Sequence, residues 1–454
     1  MKPIDSNRAF SILSALMIFI SSTLLAIWSL KNTIALRNTL LVLGTLIAVF
    51  LLKYYAKQAN STKYRTVLTQ YAPIILSGCM FIWVLIHLMG FSQEPTLQLQ
   101  ELTSTWLRAF LACVIGGLTG LVLRDHPKRT QWLWLGLLSG FIYLLAHYLE
   151  AFAQSGIAFM PNYYFSSPFG NKINTVLMGN LFISAICGSS AYAITQNLGK
   201  HSWAMYLYWL LGSLTVLFAF TTIIDTRNGV GVALILIGSW ALYIGVFALK
   251  HQMNSHKPSW KMAFIILIPL LLIIIFVQQH LNINRGWNHF IEDVTVAVQI
   301  DETPNWQDVR KYGYPKTSSG ETVYPNNYER AAWATAGIKS IAANPLGYGL
   351  LEHSLGKVIR ESYPEATIQS SHSAWIDFGL AFGIPGLIFT MGALISIIIL
   401  ATKSSSPHYL TAIWVAAGLL LVFTVAEVSS KHTIEILFFC IALLNTMLFQ
   451  KNAE

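Results

Sequence analysis

The sequence predicts an all-α polytopic membrane protein with about 12 transmembrane helices. Of its 454 residues, 54% are hydrophobic and only 11% are charged, whereas soluble globular proteins carry roughly 25% charged residues. The apolar residues form runs of about the length that a membrane-spanning helix needs. Lysines and arginines are spread over the short segments between these runs, as the orientation of membrane proteins requires.

Twelve apolar runs predict the spans. The first run is longer than the core of a secretory signal, which has roughly 7–15 residues, so we expect it to remain as a helix. The predicted spans are 9–30, 34–52, 72–90, 105–123, 132–151, 176–195, 203–223, 229–249, 261–280, 374–401, 409–427 and 432–450. Counted with the N-terminus in the cytoplasm, the short inner segments hold most of the lysines and arginines. This bias predicts that both termini are cytoplasmic.

These spans divide the chain into four parts. Residues 1–202 hold the first six spans and residues 203–280 the next three; 281–373 form one large outer loop, and 374–454 hold the last three spans. Within the loop, the stretch "NNYERAAWATAGIKSIAANPLGYG" has apolar or small residues at helical spacing and ends in Pro and Gly. This pattern predicts an amphipathic helix over 326–343.

Several classes of function find no support. The net charge of +9 is dispersed, so it does not indicate nucleic-acid binding. No phosphate-binding loop, dinucleotide fingerprint, nucleophile elbow or metal-ligand spacing is present, and we expect an enzyme that uses no metal and no other cofactor. Disulfides and zinc are not expected either, because all cysteines lie in apolar runs: Cys79, Cys113, Cys187 and Cys440.

A histidine stands where the large outer loop meets the tenth span. His372 and Ser373 are followed by nine residues and then by Gly383 and Gly386. A histidine at a membrane edge is most often an interfacial residue. The glycines, however, permit a neighbouring helix to approach closely, and a neutral imidazole at the mouth of a packed span suits the work of a general base.

Three arginines are predicted to lie on the same side. Arg227 follows Asp225 in a short outer turn, where it either pairs with that carboxylate, anchors at the interface or binds a phosphate. Arg330, beside Glu329, is either a solvated charge or a second phosphate ligand. Arg285 lies just above the ninth span. It either extends to the lipid headgroups or binds phosphate together with the other two arginines.

Taken in order, these motifs resemble the O-antigen ligase and polymerase superfamily over about 203–450. The superfamily pattern of His, Ser, nine residues, Gly, two residues and Gly is met without departure. A helix led by Arg330 ends in a Pro-x-Gly-x-Gly turn that contains Gly347 and Gly349. "DTRNGVGVALIL" is similar to the short Arg-Gly motif that opens a span. One departure is Ala334, where ligases often have Leu four residues after the arginine.

The resemblance implies a GT-C-like glycosyltransferase at the periplasmic face of a bacterial inner membrane. The donor would be O-antigen linked to undecaprenyl pyrophosphate, and the acceptor a sugar hydroxyl of lipid A-core. His372 would act as the base, while Arg227, Arg330 and Arg285 hold the pyrophosphate. Attack at the anomeric carbon would invert its configuration. Besides these two substrates, the expected partners are membrane lipids, with no nucleic acid.

Three alternatives remain at this stage. A polymerase of the same superfamily would join repeat units to one another, although a single large outer loop fits a ligase better. A protein O-oligosaccharyltransferase usually carries a longer C-terminal extension than this sequence has. A polyprenyl-glycan transporter without chemistry would show repeats and ionisable residues near the membrane midplane, whereas the candidate residues here lie at the outer ends of spans.

Overall fold

The computed structural model describes residues 6–59, 67–160, 162–196, 202–255, 267–268, 271, 274–278, 289–428 and 430–449. Within them the structure is helical, and its β-structure is a single isolated bridge between Lys316 and Thr322. The main helices are α1 (Ser6–Ile27), α2 (Ile34–Ala59), α3 (Ala72–Gly90), α4 (Pro95–Asp125), α5 (Thr130–Ser155), α6 (Lys172–Gln196), α7 (Ser202–Phe218), α8 (Arg227–Ser255), α9 (Phe290–Ala297), α10 (Pro325–Ala343), α11 (Ser354–Ser362), α12 (Ala374–Thr402), α13 (Tyr409–Val422) and α14 (Lys431–Met447).

The predicted class, an all-α polytopic membrane protein, is confirmed. In the described part of the chain, α1 to α8 and α12 are long and apolar enough to cross a membrane, and α13 is a shorter apolar helix. The predicted ninth span, 261–280, falls mostly outside the described residues. The division of the chain into four parts and the placement of the termini stay predictions.

Several predicted boundaries were wrong, with the largest shifts in the second, fourth and eleventh spans. The second span ends at Ala59 instead of 52. The fourth span begins at Pro95 instead of 105, because its first turns, "PTLQLQE", carry too many polar residues for a hydropathy reading to include them. The eleventh span ends at Val422 instead of 427. The carbonyls after Val422 accept hydrogen bonds from the start of α12 instead of continuing α13. Phe423 O accepts one from the Ser373 hydroxyl, and Ala426 O accepts one from the N–H of Ala374.

Helix α14 forms the centre of the bundle and is buried along its whole length. Its Glu435 accepts a hydrogen bond from the Trp28 indole of α1 (2.7 Å) and pairs with Nε of Arg108 on α4 (3.3 Å). A buried charge is retained only when it is paired and hydrogen-bonded. This contact therefore ties three helices of the bundle together.

Residues 289–373, the described part of the predicted outer loop and hereafter the outer segment, form a separate apolar cluster that packs against α12. The predicted amphipathic helix is confirmed as α10. Its first turn is held by Asp293 of α9, which is fully buried and accepts the N–H of Tyr324 (3.1 Å) and the side-chain amide of Asn327 (2.8 Å). The apolar cluster beneath includes Trp306, Tyr328, Ala332, Leu355, Ile376 and Leu380.

Helix α12 is interrupted at Gly383, which has φ +65° and ψ −160°. The turn that follows α10 docks into this interruption through three backbone hydrogen bonds. They run from Tyr348 N to Leu380 O (2.7 Å), from Gly349 N to Ala381 O (2.7 Å) and from Ile384 N to Pro345 O (2.8 Å). The first half of α12 and the end of α10 are thereby fixed to each other, which places the residues just before α12 under α10.

Candidate active site

The turn before α12 carries His372 in a left-handed conformation, with φ +56°. Histidine is among the non-glycine residues that tolerate this region. Ser373 is the N-cap residue, and its N–H donates to the Ser371 hydroxyl (3.1 Å). That hydroxyl in turn donates to Asp377 (2.7 Å), whose second oxygen accepts the N–H of Val428 (2.8 Å). The His372 turn is therefore joined to the loop 423–428 that follows α13.

The imidazole of His372 is held on two sides. Its Nδ1 lies 2.6 Å from a carboxylate oxygen of Glu427, a close ion-pair contact. Its ring stacks on the indole of Trp333, with centroids 5.3 Å apart and planes 29° apart. Trp333 is fixed in turn, because its Nε1 donates to Trp306 O (3.2 Å). The His372 side chain remains 28% exposed, so a substrate can reach it.

The charge of Glu427 is stabilised by its neighbours. Burial acts to raise the pKa of this carboxyl, but its contact with His372 and the charge of Arg330 outweigh burial and hold the pKa below its ordinary value. Glu427 is therefore a carboxylate at neutral pH, although its side chain is only 14% exposed.

Arg330 lies on the side of α10 that faces the bundle. Its Nη1 donates to the carbonyl of Val425 (3.3 Å). The side-chain amide of Asn228 is assigned with its oxygen facing the Arg330 guanidinium. In this orientation the oxygen accepts hydrogen bonds from Nη1 (2.7 Å) and Nη2 (3.2 Å). Burial and the nearby Arg227 lower the pKa of Arg330 while Glu427 raises it, and an arginine stays protonated throughout. Arg330 is therefore not the solvated surface charge that one of the two interpretations of the sequence predicted.

Arg227 begins α8 and reaches the start of α10. Its guanidinium carbon lies 4.6 Å from the centre of the Tyr324 ring, a cation–π contact. An ion pair between Arg227 and Asp225, one of the predicted alternatives, is not among the ion pairs of the described residues. Asp225 instead takes a left-handed φ of +51° and offers its carbonyl to Lys172 (2.8 Å).

The remaining predicted residues fall elsewhere. Arg285 lies outside the described residues. The four predicted glycines do not line the His372 site. Gly383, Gly347 and Gly349 form the contact between α12 and the turn after α10, and a Cβ at Gly383 would overlap the backbone of Pro345 and Leu346. At Gly386 a Cβ would instead meet Phe382 of the same helix and Met80 of α3. The close neighbour of Gly383 is therefore a turn and not the predicted helix.

The structure adds residues that the sequence did not single out. Glu427, Trp333 and Asn228 each contact a predicted site residue. Glu427 left one signal: it is the sole acidic residue between Asp377 and Glu435, in a stretch that is otherwise apolar. A carboxylate at such a depth indicates a cationic partner.

Two cavities in the described part of the chain lie away from this cluster. One of about 700 Å³ opens between α1 and α5, and another of about 700 Å³ lies near His408, at the opposite ends of α12 and α13. Their linings are mostly apolar and contain no carboxylate. We therefore place the candidate chemistry at the pair of His372 and Glu427.

The fold and the cluster together define a class: a polytopic helical membrane protein that presents a histidine–carboxylate pair and two arginines at one end of its bundle. Residues 213–391 match the family model described as O-antigen ligase. This part of the chain is thus similar to the O-antigen ligase family, and the similarity supports a glycosyltransferase-like enzyme that acts on polysaccharide or lipid-linked substrates. The matched segment contains Arg227, Arg330 and His372. No curated protein matches the chain.

Proposed function

We propose that this protein is an O-antigen ligase. It transfers a polysaccharide from undecaprenyl pyrophosphate to a sugar hydroxyl of lipid A-core, at the periplasmic face of the bacterial inner membrane. The observation that carries the proposal is the contact of His372 with Glu427 beside two arginines. His372 and both arginines lie within the matched segment, 213–391. A base for the acceptor and cations for the leaving group are what such a transfer requires.

On the donor side, Arg227 and Arg330 bind the pyrophosphate. Guanidinium groups bind phosphate oxygens through paired hydrogen bonds and stay charged at depths where lysine loses its proton. As the bond between the anomeric carbon and the phosphate oxygen breaks, negative charge grows on the leaving group. Cations fixed in advance stabilise that charge more than they stabilise the ground state.

On the acceptor side, His372 removes the proton of the attacking hydroxyl. The hydroxyl oxygen forms the new bond to the anomeric carbon, its proton passes to the imidazole, and undecaprenyl pyrophosphate leaves with the bonding electrons. A positioned base typically contributes about 10²- to 10⁴-fold to the rate. Direct attack inverts the anomeric configuration.

The position of the site suits lipid-anchored substrates. His372 precedes α12, Arg227 begins α8, and Glu427 follows α13, so all three lie at helix ends on one side of the bundle. With both termini in the cytoplasm, this side is periplasmic. There, donor and acceptor stay in the outer leaflet while their sugars reach the histidine.

Purified protein in nanodiscs tests this function. With undecaprenyl-pyrophosphate-linked O-polysaccharide and lipid A-core, we expect a ladder of high-mass lipopolysaccharide, which His372→Ala removes. His353→Ala is the matched control, because His353 is exposed in the same outer segment and also has a left-handed φ, +55°.

Each other outcome has a meaning. Lengthening of the lipid-linked repeats without a ladder would make the protein a polymerase. Folded His372→Ala protein with normal transfer would remove the base from the mechanism. No product from either acceptor would favour transport of the lipid-linked glycan over its transfer.

A further inference from the structure

The contact between His372 and Glu427 involves a particular ring nitrogen. The carboxylate faces Nδ1 at 2.6 Å, and Trp333 covers one face of the same ring. A neutral imidazole has one protonated and one unprotonated nitrogen, and the partner of one nitrogen decides which is which. A carboxylate at Nδ1 keeps the proton there, which leaves Nε2 as the basic atom.

We propose that Glu427 is the positioning residue of the reaction: its carboxylate holds the proton on Nδ1 of His372 and thereby presents Nε2 to the acceptor hydroxyl. The proposal rests on the proposed function, in which His372 is the base. Glu427 lies outside the matched family segment, 213–391, and acts through the histidine without contacting substrate.

The surroundings of Glu427 keep it in this role. The charged groups near the pair come from three elements: Arg330 and Glu329 from α10, Arg227 from α8, and Asp377 from the first turn of α12. Arg330 acts on Glu427 directly and, together with His372, keeps it ionised, whereas Arg227 and Glu329 act on Arg330. The backbone around it is fixed as well, since the N–H of Val428 donates to Asp377 and the carbonyl of Val425 accepts from Arg330.

The proton balance of the step is complete without a further reactant. The acceptor O–H bond breaks as an N–H bond forms at Nε2, and the imidazole becomes an imidazolium. Glu427 remains a carboxylate before and after, and its charge stabilises the imidazolium. The proton then leaves from Nε2 to solvent as the product departs.

Removal of this charge has a predictable effect on the kinetic constants. In Glu427→Gln no carboxylate holds the proton on Nδ1, and the imidazolium that forms during the reaction loses its counter-charge. The value of kcat therefore falls, by about 10²-fold if most of the base contribution is lost. KM for the donor changes little, because the arginines remain.

The experiment compares kcat and KM of full-length protein in nanodiscs. Glu427→Gln is measured beside Glu427→Asp, which keeps the charge and should restore part of kcat. It is also measured beside Glu302→Gln, at an exposed carboxylate of the outer segment, which should behave as wild type. Glu427→Gln is also combined with His372→Ala. If Glu427 acts through the histidine, the combined variant loses no more activity than His372→Ala alone.

Two results would overturn the inference. One is a wild-type kcat in Glu427→Gln; the other is a loss of kcat that adds fully to the loss in His372→Ala. Failure of the proposed function is distinguishable, because in that case either His372→Ala itself would transfer normally or the wild-type protein would give no product. If Glu427→Gln does not fold, Glu427→Asp decides: a lower kcat at unchanged KM supports the inference, and wild-type kinetics refute it.

Discussion

Replacement of Gly383 by alanine is expected to uncouple α12 from the turn after α10. The backbone at Gly383, with φ +65° and ψ −160°, is a conformation essentially restricted to glycine, and a side chain there costs about 1–3 kcal/mol. The new Cβ would also overlap Pro345 and Leu346, whose backbone atoms have to move away. Loss of one docking hydrogen bond adds about 0.5–1.5 kcal/mol, so the sum is about 2–4 kcal/mol.

Gly392→Ala is the matched control. Gly392 lies in the same helix, and a Cβ there meets only Leu76, at an ordinary 3.6 Å. Alanine stabilises a helix by about 1 kcal/mol over glycine. Thermal unfolding in detergent, followed by tryptophan fluorescence, should give Gly383→Ala a clearly lower midpoint than wild type and Gly392→Ala an equal or higher one. Transfer activity should fall with Gly383→Ala, since the His372 turn precedes the same half-helix. Equal midpoints and activities in the two variants would refute this account of the interruption.

Two further substitutions test the support of the site. Asp293→Asn should destabilise the first turn of α10 by about 1–3 kcal/mol, because a buried, charged acceptor of two hydrogen bonds is lost; faster amide hydrogen exchange in α10 is the measurement. Asp301→Asn, at an exposed ion pair, should leave that exchange unchanged, and a similar rate in both variants would contradict the reasoning. Glu435→Ala leaves Arg108 unpaired inside the bundle and should destabilise it by about 3–5 kcal/mol. The control is Glu302→Ala, at an exposed carboxylate. If Glu435→Ala has the same thermal unfolding midpoint as this control, the contact of Glu435 with Arg108 contributes little to stability.

The sequence predicted most of the helices, because each span must place about 20 apolar residues in the lipid and therefore stands out by composition. It also predicted His372, Arg227 and Arg330, since polar residues at the ends of spans contrast with their surroundings. Glu427 was missed because a lone carboxylate is averaged into the apolar run before it. The end of α13 was missed for the same reason: hydropathy does not register that the carbonyls after Val422 bind another helix.

The partners of the charged groups bear on the chemistry that the site can support. Arg330 is held by an amide oxygen and a carbonyl, and Arg227 by an aromatic ring. Neutral partners of this kind fix a guanidinium without cancelling its charge, which remains available to an anion. The carboxylate of the site lies against His372 instead. Negative charge develops on the leaving pyrophosphate and positive charge on the base. The two arginines and the carboxylate of Glu427 therefore each lie where the proposed transition state needs them.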